Sequence, residues 1–180
     1  MRQQGFSLIE LLMGLTIVGI VLHLVSPAFA ALTESNHQEE AAKSLVSGMR
    51  SARGEAITRN QAVVIHGIND DWGQGWRMIL DLNGKGHEDS NNPLLVERRS
   101  DTRVPVIGNH YVRTSVRFSH LGEPQHGGFQ AGTLHVCAKH EPVSQHQVVL
   151  APSGRVSLRS IKAVQALCEK GKKSKQRTNA

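Results

Sequence analysis

The chain has 180 residues, a mass of 19.7 kDa and a formal net charge of +6. This length suits one ordinary domain plus an extra element and excludes a second full domain. Between residues 6 and 32 only Glu10 and His23 can ionise, whereas the remainder mixes polar and apolar residues as a water-facing domain does. The simplest organisation is one membrane-active arm followed by one head.

The apolar segment 6–32 is long enough to cross a membrane. As a helix rising about 1.5 Å per residue it reaches roughly 40 Å, and the hydrocarbon core of a bilayer is about 30 Å thick. A cleaved secretory signal is the alternative, because SPAFAALTE, with Ala28 and Ala30, imitates a small-residue cleavage site. The length of the run, its weakly basic start and the acid at position 10 favour a spanning segment.

Residues 5 to 12, GFSLIELL, resemble the type IV prepilin signal, in which a dedicated peptidase cuts after the glycine and methylates the new amino terminus. The resemblance implies removal of the leader 1–5, cleavage between Gly5 and Phe6, and methylation of Phe6. A lone carboxylate in a low-dielectric layer is costly unless it is paired. The resemblance therefore implies that Glu10 acts in assembly by meeting the terminal amine of a neighbouring subunit. A carboxylate that snorkels to the membrane interface is the alternative.

Gly14, Gly19 and Pro27 interrupt the same helix. Proline removes a backbone donor and clashes with the preceding turn, so we expect a kink near Pro27. In the resembled family, the stretch between a glycine such as Gly19 and a proline such as Pro27 can loosen when a subunit moves from membrane to fibre. The alternative is that these glycines permit close packing of neighbouring helices.

Beyond residue 32 the pattern becomes amphipathic, and it predicts that the helix continues over 33–60. Apolar side chains recur at steps of three and four residues, with charged residues between them. These apolar positions are Ala41, Ala42, Leu45, Val46, Met49, Ala52, Ala56 and Ile57. The helix is predicted to end near Arg59 and Asn60.

Short β-rich runs separated by Gly, Asn, Asp and Pro follow, and they predict an antiparallel sheet, or two small sheets, packed on the helix. The runs are 62–68, 76–82, 94–99, 115–118, 133–137 and 147–150. Three segments, RSARGEAITRNQAVVI, DDWGQGWRMILDLNGKG and VVLAPSGRVSL, resemble the GspH/FimT branch of minor pilins and pseudopilins. The resemblance implies an α+β, type IV pilin-like fold with a long N-terminal helix and a β-rich periplasmic head over 61–168.

The same resemblance implies a single-pass protein of the bacterial inner membrane whose partners are the prepilin peptidase and other pilins of a pilus or pseudopilus. We expect the basic tail 169–180 to be disordered.

The pair Trp72 and Trp76 is interpreted as two aromatics that anchor a hairpin to the core.

Two patterns raise the question of a metal. Asp81, Asn83 and Gly86 resemble the start of a calcium loop, but Asn92 stands where a bidentate acid is required, so a β-turn is favoured. His135, Cys137 and His140 lack a second ligand pair, so satisfied or surface histidines are favoured. No metal and no cofactor are expected.

The two cysteines, Cys137 and Cys168, lie in the part of the chain expected outside the inner membrane. An oxidising compartment favours a disulfide between them. With about thirty residues in the closed loop, the chain-entropy model gives a stabilisation of about 3–4 kcal/mol. Free thiols are the alternative.

Positive charge is concentrated at the carboxyl end, where residues 151–180 carry +7 and the rest of the chain carries −1. Such a segment attracts phosphates, acidic proteins or anionic lipids. FimT-type minor pilins are associated with DNA binding through a glycine-arginine-x-arginine element. Here GRVSLR supplies Gly154 and Arg155, Ser157 replaces the second arginine, and Arg159 follows on the same face of a strand, about 13 Å from Arg155. The candidate DNA-binding residues are Arg155, Arg159, Lys162, Lys170, Lys172 and Lys173.

Two functions follow from the resemblance and the charge. The first is a structural subunit that assembles through its helix into a type IV pilus or a type II secretion pseudopilus. The second is a subunit of the same kind that captures DNA for natural transformation. Because no nucleophile motif, phosphate loop or paired-carboxylate site is present, no enzymatic activity is expected.

Overall fold

The computed structural model describes residues 7–102, 104–125 and 130–169, without the side chain of Leu24. The predicted leader 1–5, Phe6 and all but the first residue of the predicted tail lie outside the described residues. The chain divides into two compact units, residues 1–36 and residues 37–180.

The first unit is helical from Leu8 onward. It contains the start of α1, which spans Leu8–Arg59 and continues through Pro27. Its most apolar 18-residue window has a mean hydropathy of 2.4 and no buried residues. By length and composition α1 could therefore cross a membrane, although a signal sequence has the same properties. The large side chains exposed here include Leu8, Ile9, Leu11, Leu12, Met13, Leu15, Ile17, Val18, Ile20, Val21, Leu22, Val25, Phe29 and Leu32.

In the second unit, α1 is amphipathic, as the apolar spacing predicts. Its buried face consists of Ala42, Leu45, Val46, Met49, Ala52 and Ala56. Ile57, which the same pattern places with them, is instead half exposed, because it lies on the last turn of the helix and at the margin of the buried face.

The end of α1 is fixed by a Schellman motif. Asn60 has a φ of 51°, the left-handed conformation that asparagine tolerates better than most residues. Its amide donates to the Ile57 carbonyl at 3.2 Å, and the next amide, of Gln61, donates to the Ala56 carbonyl at 3.2 Å. These bonds satisfy carbonyls that the final turn would otherwise leave unpaired.

In the part of the chain that the structure describes, nine strands in two antiparallel sheets follow the helix. The strands are β1 Val63–Ile68, β2 Asp71–Leu80, β3 Leu94–Arg99, β4 Val106–Gly108, β5 Ser115–Phe118, β6 Gly132–Cys137, β7 Val143–Leu150, β8 Val156–Arg159 and β9 Ala163–Val164. The first sheet has the order β3-β2-β1-β5, and the second has the order β4-β6-β7-β8, with β9 also paired to β7. One hydrophobic core joins both sheets to the buried face of α1. This arrangement is the α+β fold that the sequence predicts.

The observed strands include all six predicted runs. β3 and β5 have the predicted bounds, whereas β2 begins at Asp71, five residues before the predicted start. The early start follows from a two-residue hairpin, since Asn69 and Asp70 have φ values of 53° and 59°, as a type I′ turn requires. The six runs do not include β4, β8 or β9. β4 and β9 have only three and two residues, too few to show alternation, and β8 is expected only as the strand that would carry Arg155, Ser157 and Arg159 on one face.

Candidate functional site

Glu10 lies in the first turn of α1 with its side chain exposed. Its amide donates to the Ser7 carbonyl at 3.1 Å, and a carboxylate in a first helical turn interacts favourably with the helix dipole. Gly5 and Phe6 lie outside the described residues. The processing site and the assembly role of Glu10 therefore stay predictions, as does the kink at Gly19 and Pro27.

The glycine of the glycine-arginine element has a geometric role in the turn between β7 and β8. Gly154 has a φ of 77°, and its amide donates to the Ala151 carbonyl at 2.9 Å. A Cβ atom at this position would lie 2.3 Å from the Gly122 carbonyl oxygen and 2.9 Å from Nε of Arg53. Any other residue here would be strained and would also collide with the backbone of the neighbouring loop.

Arg155 and Arg159 flank β8 at its two ends, and both side chains are exposed. Along the strand, Val156 is buried and Leu158 packs against the core. Ser157 and Arg159 therefore alternate onto the outer face, while Arg155 immediately precedes the strand. Within residues 7–169, leaving aside those not described, neither arginine forms an ion pair.

Lys162 follows β8 and is also exposed. Its charge acts on His146. Burial is the main cause that lowers the pKa of His146, and the positive charges of Lys162 and Lys43 lower this pKa further. The carboxylate of Glu39 raises it. Lys170, Lys172 and Lys173 lie outside the described residues. The structure thus brings three of the six predicted basic residues to one edge of the second sheet.

Sequence reasoning missed two helix residues that border the same edge. Arg50 donates from Nη2 to the Val156 carbonyl at 3.0 Å, and Arg53 donates from Nε to the Gly122 carbonyl at 2.9 Å. The heptad-like pattern of α1 places both among its charged, water-facing positions. The signal that distinguishes them is their position directly beside the buried face, where a long side chain can reach a neighbouring strand.

A small cleft of about 200 Å³ on the second sheet is lined by Arg159, by polar side chains that include His135 and Ser144, and by the apolar Val149 and Ala163. Nδ1 of His135 lies 3.2 Å from Oγ of Ser144, and Nε2 of His135 lies 3.3 Å from Nε2 of Gln165. Burial lowers the pKa of His135. Because the Ser144 hydroxyl donates to the His146 carbonyl at 3.2 Å, this serine is part of a structural network and is not held as an activated nucleophile.

A disulfide joins Cys137 in β6 to Cys168, which confirms the predicted pairing. The residues between them include β7, β8 and β9, so the bond ties the end of the described chain to the second sheet. With both thiols used in this bond, Cys137 cannot ligate a metal. Among the residues described, no three His, Cys, Asp or Glu side chains converge as a metal site would require.

The calcium-like segment is a loop held by its own side chains. It includes a single turn of 3-10 helix, Gly86–Glu88. The carboxylate of Asp81 accepts from the Gly86 amide at 3.1 Å and from Nε of Arg117 at 2.6 Å. The Asn92 amide oxygen accepts from the Leu82 amide at 3.2 Å. These hydrogen bonds hold the segment in a closed loop around Asp81.

Trp72 and Trp76 are both buried in β2, as the anchoring interpretation predicts. Nε1 of Trp72 donates to the Arg113 carbonyl at 2.9 Å, and Nε1 of Trp76 donates to Oγ of Ser44 on α1 at 3.1 Å. Because both indole N–H groups are hydrogen-bonded within the core, these two tryptophans serve to pack the sheet against its neighbours.

Family models match most of the chain. The model described as type II transport protein GspH matches residues 41–154. The model described as the prokaryotic N-terminal methylation motif matches residues 1–26. No curated protein matches the sequence.

Two solved structures have the same fold, and both are crystal forms of the type IV minor pilin FimU of Pseudomonas aeruginosa. The P65 form is 19% identical, with a TM-score of 0.56, and the match covers 72% of this chain and 98% of that chain. The P21 form is 20% identical, with a TM-score of 0.58, and the match covers 76% of this chain and 98% of that chain. At a sequence identity of 19–20% this structural similarity establishes a shared fold, which is a long helix packed on antiparallel sheets.

Proposed function

The chain belongs to the GspH family of type II transport proteins and carries a prepilin-type N-terminal signal, and we propose that it assembles through α1 as a minor subunit of a type IV pilus or a type II secretion pseudopilus. Its partners are other pilins of the fibre and the prepilin peptidase. Cleavage falls between Gly5 and Phe6, and Glu10 sets the registry between subunits.

The observation that carries this proposal is the exposed apolar half of α1. Between Glu10 and Glu34 no acidic or basic side chain occurs other than His23, and the large apolar side chains of this stretch are at least half exposed where they are described. Exposed apolar surface costs about 25 cal/mol per Å² in water. In a fibre subunit this apolar surface is covered first by membrane lipid and, after assembly, by the helices of neighbouring subunits.

The second unit is suited to the periplasm. Its disulfide requires an oxidising compartment to persist, and α1 is long enough to cross the inner membrane once. We therefore assign the spanning segment to residues 6–32, the amphipathic half of the helix to 33–60 and the periplasmic head to 61–168.

Substitution of Glu10 tests the assembly proposal. A strain that carries Glu10→Gln should process the chain normally but lose it from sheared fibres, because the neutral amide no longer pairs with a terminal ammonium group. Glu40→Gln, an exposed acid on the same helix, is the matched control and should leave incorporation unchanged. Recovery of the Glu10→Gln chain in fibres at the wild-type level would contradict the proposed role.

The two possible machines are separated by a deletion strain scored for three phenotypes. A pilus subunit is required for twitching, a pseudopilus subunit for exoprotein release, and a DNA-capturing subunit for DNA uptake. Loss of exoprotein release with normal twitching would assign the chain to secretion, and the converse result would assign it to a pilus.

A second candidate function, capture of DNA, is supported by the exposed cations at β8. Arg155, Arg159 and Lys162 are exposed and have no acidic partner among the described residues. Cations of this kind bind phosphodiester backbones with little sequence preference, and the affinity falls steeply as salt rises.

Gel retardation of duplex DNA by the full chain in detergent micelles tests this second function. Arg155→Gln with Arg159→Gln should weaken retardation at low salt and reduce its salt dependence by about two counterions. Arg98→Gln with Arg113→Gln removes two exposed arginines elsewhere in the head and serves as control. The absence of any retardation at low salt would exclude DNA binding.

A further inference from the structure

We propose that the groove between α1 and β8 binds an extended acidic peptide segment of another fibre subunit, which adds to the second sheet as a further strand. This groove, called here the edge groove, is lined by Lys43, Val46, Ser47, Arg50, Ser51 and Leu158. The inference assigns a partner surface on the head. It depends on the proposed assembly function only for the source of the peptide.

Among the described strands, β8 forms an open edge of the second sheet. The sheet order ends at β8, and of these strands only β7 pairs with it. The Ala151 amide donates to the Arg155 carbonyl at 2.9 Å. Because backbone groups of successive residues in a strand point to opposite edges, this bond determines which residues of β8 bond to β7. Ser157 therefore bonds to β7, and the backbone groups of Val156 and Leu158 point away from it.

The outward groups are only partly satisfied. The Val156 carbonyl accepts from Nη2 of Arg50. Within the part of the chain that the structure describes, no bond reaches the amides of Val156 and Leu158 or the Leu158 carbonyl. A row of unpaired donors and acceptors on an edge strand is a template for another strand.

The edge groove has the size and chemistry of a peptide site. Its volume is about 570 Å³, within the range of about 300–1,000 Å³ typical of ligand sites. Val46 and Leu158 supply apolar walls, whereas Lys43 and Arg50 supply positive charge, and no acidic side chain of the described residues lines the groove. Glu39 bonds Lys43 from outside the groove at 2.6 Å.

These features favour a peptide over a nucleic acid. An added strand would satisfy the free backbone groups of β8 and place every second side chain in the edge groove. Apolar and acidic side chains at those positions would contact Leu158 and pair with Arg50 and Lys43. A phosphodiester backbone has no amide donors for the Leu158 carbonyl and gains nothing from the apolar walls.

A designed heptapeptide provides the probe. Its four odd positions are threonine, and its second, fourth and sixth positions are glutamate, valine and glutamate. Its amino end is acetylated and its carboxyl end is amidated. Fluorescence anisotropy with the full chain in detergent micelles should show saturable binding. Two further versions carry N-methyl groups on the even or on the odd residues. Because one edge of a strand faces β8, one version should lose affinity about tenfold or more, and the other should retain it.

Charge variants test the walls of the groove. Lys43→Gln with Arg50→Gln should reduce binding of the heptapeptide by about tenfold, the effect of losing two charge-assisted contacts. Arg98→Gln with Arg113→Gln makes the same change in net charge away from the edge groove and should leave binding unchanged.

Three results would overturn the proposal. The first is no binding of the parent peptide, and the second is equal binding of both N-methylated versions, which would exclude strand addition. The third is displacement of the peptide by duplex DNA from the wild-type chain but not from the Lys43→Gln, Arg50→Gln variant, which would identify a phosphate site. These measurements use purified protein, so they are independent of whether Glu10→Gln prevents fibre incorporation.

Discussion

Gly48 lies on the buried face of α1 beneath the indole of Trp76. A Cβ atom there would approach Cε2 and Cζ2 of Trp76 to 2.8 Å, closer than side-chain carbons pack. Since the indole is fixed by its bond to Ser44, it cannot move away freely. Helix and sheet therefore approach more closely here than any side chain on α1 would permit.

Replacement of this glycine tests how tightly the contact is packed. Gly48→Ala gains about 1 kcal/mol of helix propensity but introduces overpacking that costs about 1–3 kcal/mol, so we expect a net destabilisation. Gly54→Ala is the matched control, because nothing lies within 4 Å of a Cβ at that position, and it should stabilise the chain by about 0.5–1 kcal/mol. Urea unfolding in detergent micelles measures both changes. Equal stabilisation by the two substitutions would contradict the contact.

Three histidines make stability depend on pH. Burial lowers the pKa of His66, His135 and His146 below the ordinary value of 6.5. The unfolded chain therefore binds more protons than the folded chain as the pH falls through this range, and folding is weakened.

We expect the melting temperature to fall as the pH is lowered from about 8 to about 5, the range in which histidine titrates. His135→Gln should flatten this profile, since it removes one of the three groups. A profile that His135→Gln leaves unchanged would show that another group controls the pH dependence.

Among the elements, the segment after β8 depends most on a covalent bond. β9 has two residues, both exposed, and the Gln165 amide donates to the Pro142 carbonyl at 2.8 Å. These contacts are few, so the disulfide between Cys137 and Cys168 holds the segment against β7.

Removal of this bond should cost about 3–4 kcal/mol by the chain-entropy model. The double substitution Cys137→Ser, Cys168→Ser should lower the free energy of unfolding by this amount and increase hydrogen exchange at the amides of Gln165 and Cys168. The β1–β2 hairpin should keep its protection and serves as an internal control. Unchanged exchange at Gln165 would show that β9 is held by its own contacts.

Much of this architecture could be predicted from the order of the residues. The apolar spacing of α1, the β-rich runs and the pairing of two cysteines are local or combinatorial signals, and the structure confirms them. The edge groove could not be predicted in this way. It depends on a contact between Arg50 of the helix and Val156 of a strand more than a hundred residues later. The helical pattern places Arg50 beside the apolar stripe but does not indicate which strand it contacts.

At the scale of the whole molecule, the two units have opposite solvent requirements. The described residues up to 36 expose apolar side chains along a nearly uncharged helix, whereas the described residues from 37 to 169 enclose a core of their own. A fibre subunit has this division because it is first held in a membrane and then packed among other helices. The head supplies a disulfide-tied sheet whose edge is lined by positive charge.

Processing of this chain and its entry into a fibre can be measured together by mass spectrometry of the amino terminus in sheared fibres from the organism that carries the chain. We expect a chain that begins at Phe6 and carries one methyl group on its terminal nitrogen. Absence from the fibres, or a terminus created by cleavage after Ala28 or Ala30, would contradict it.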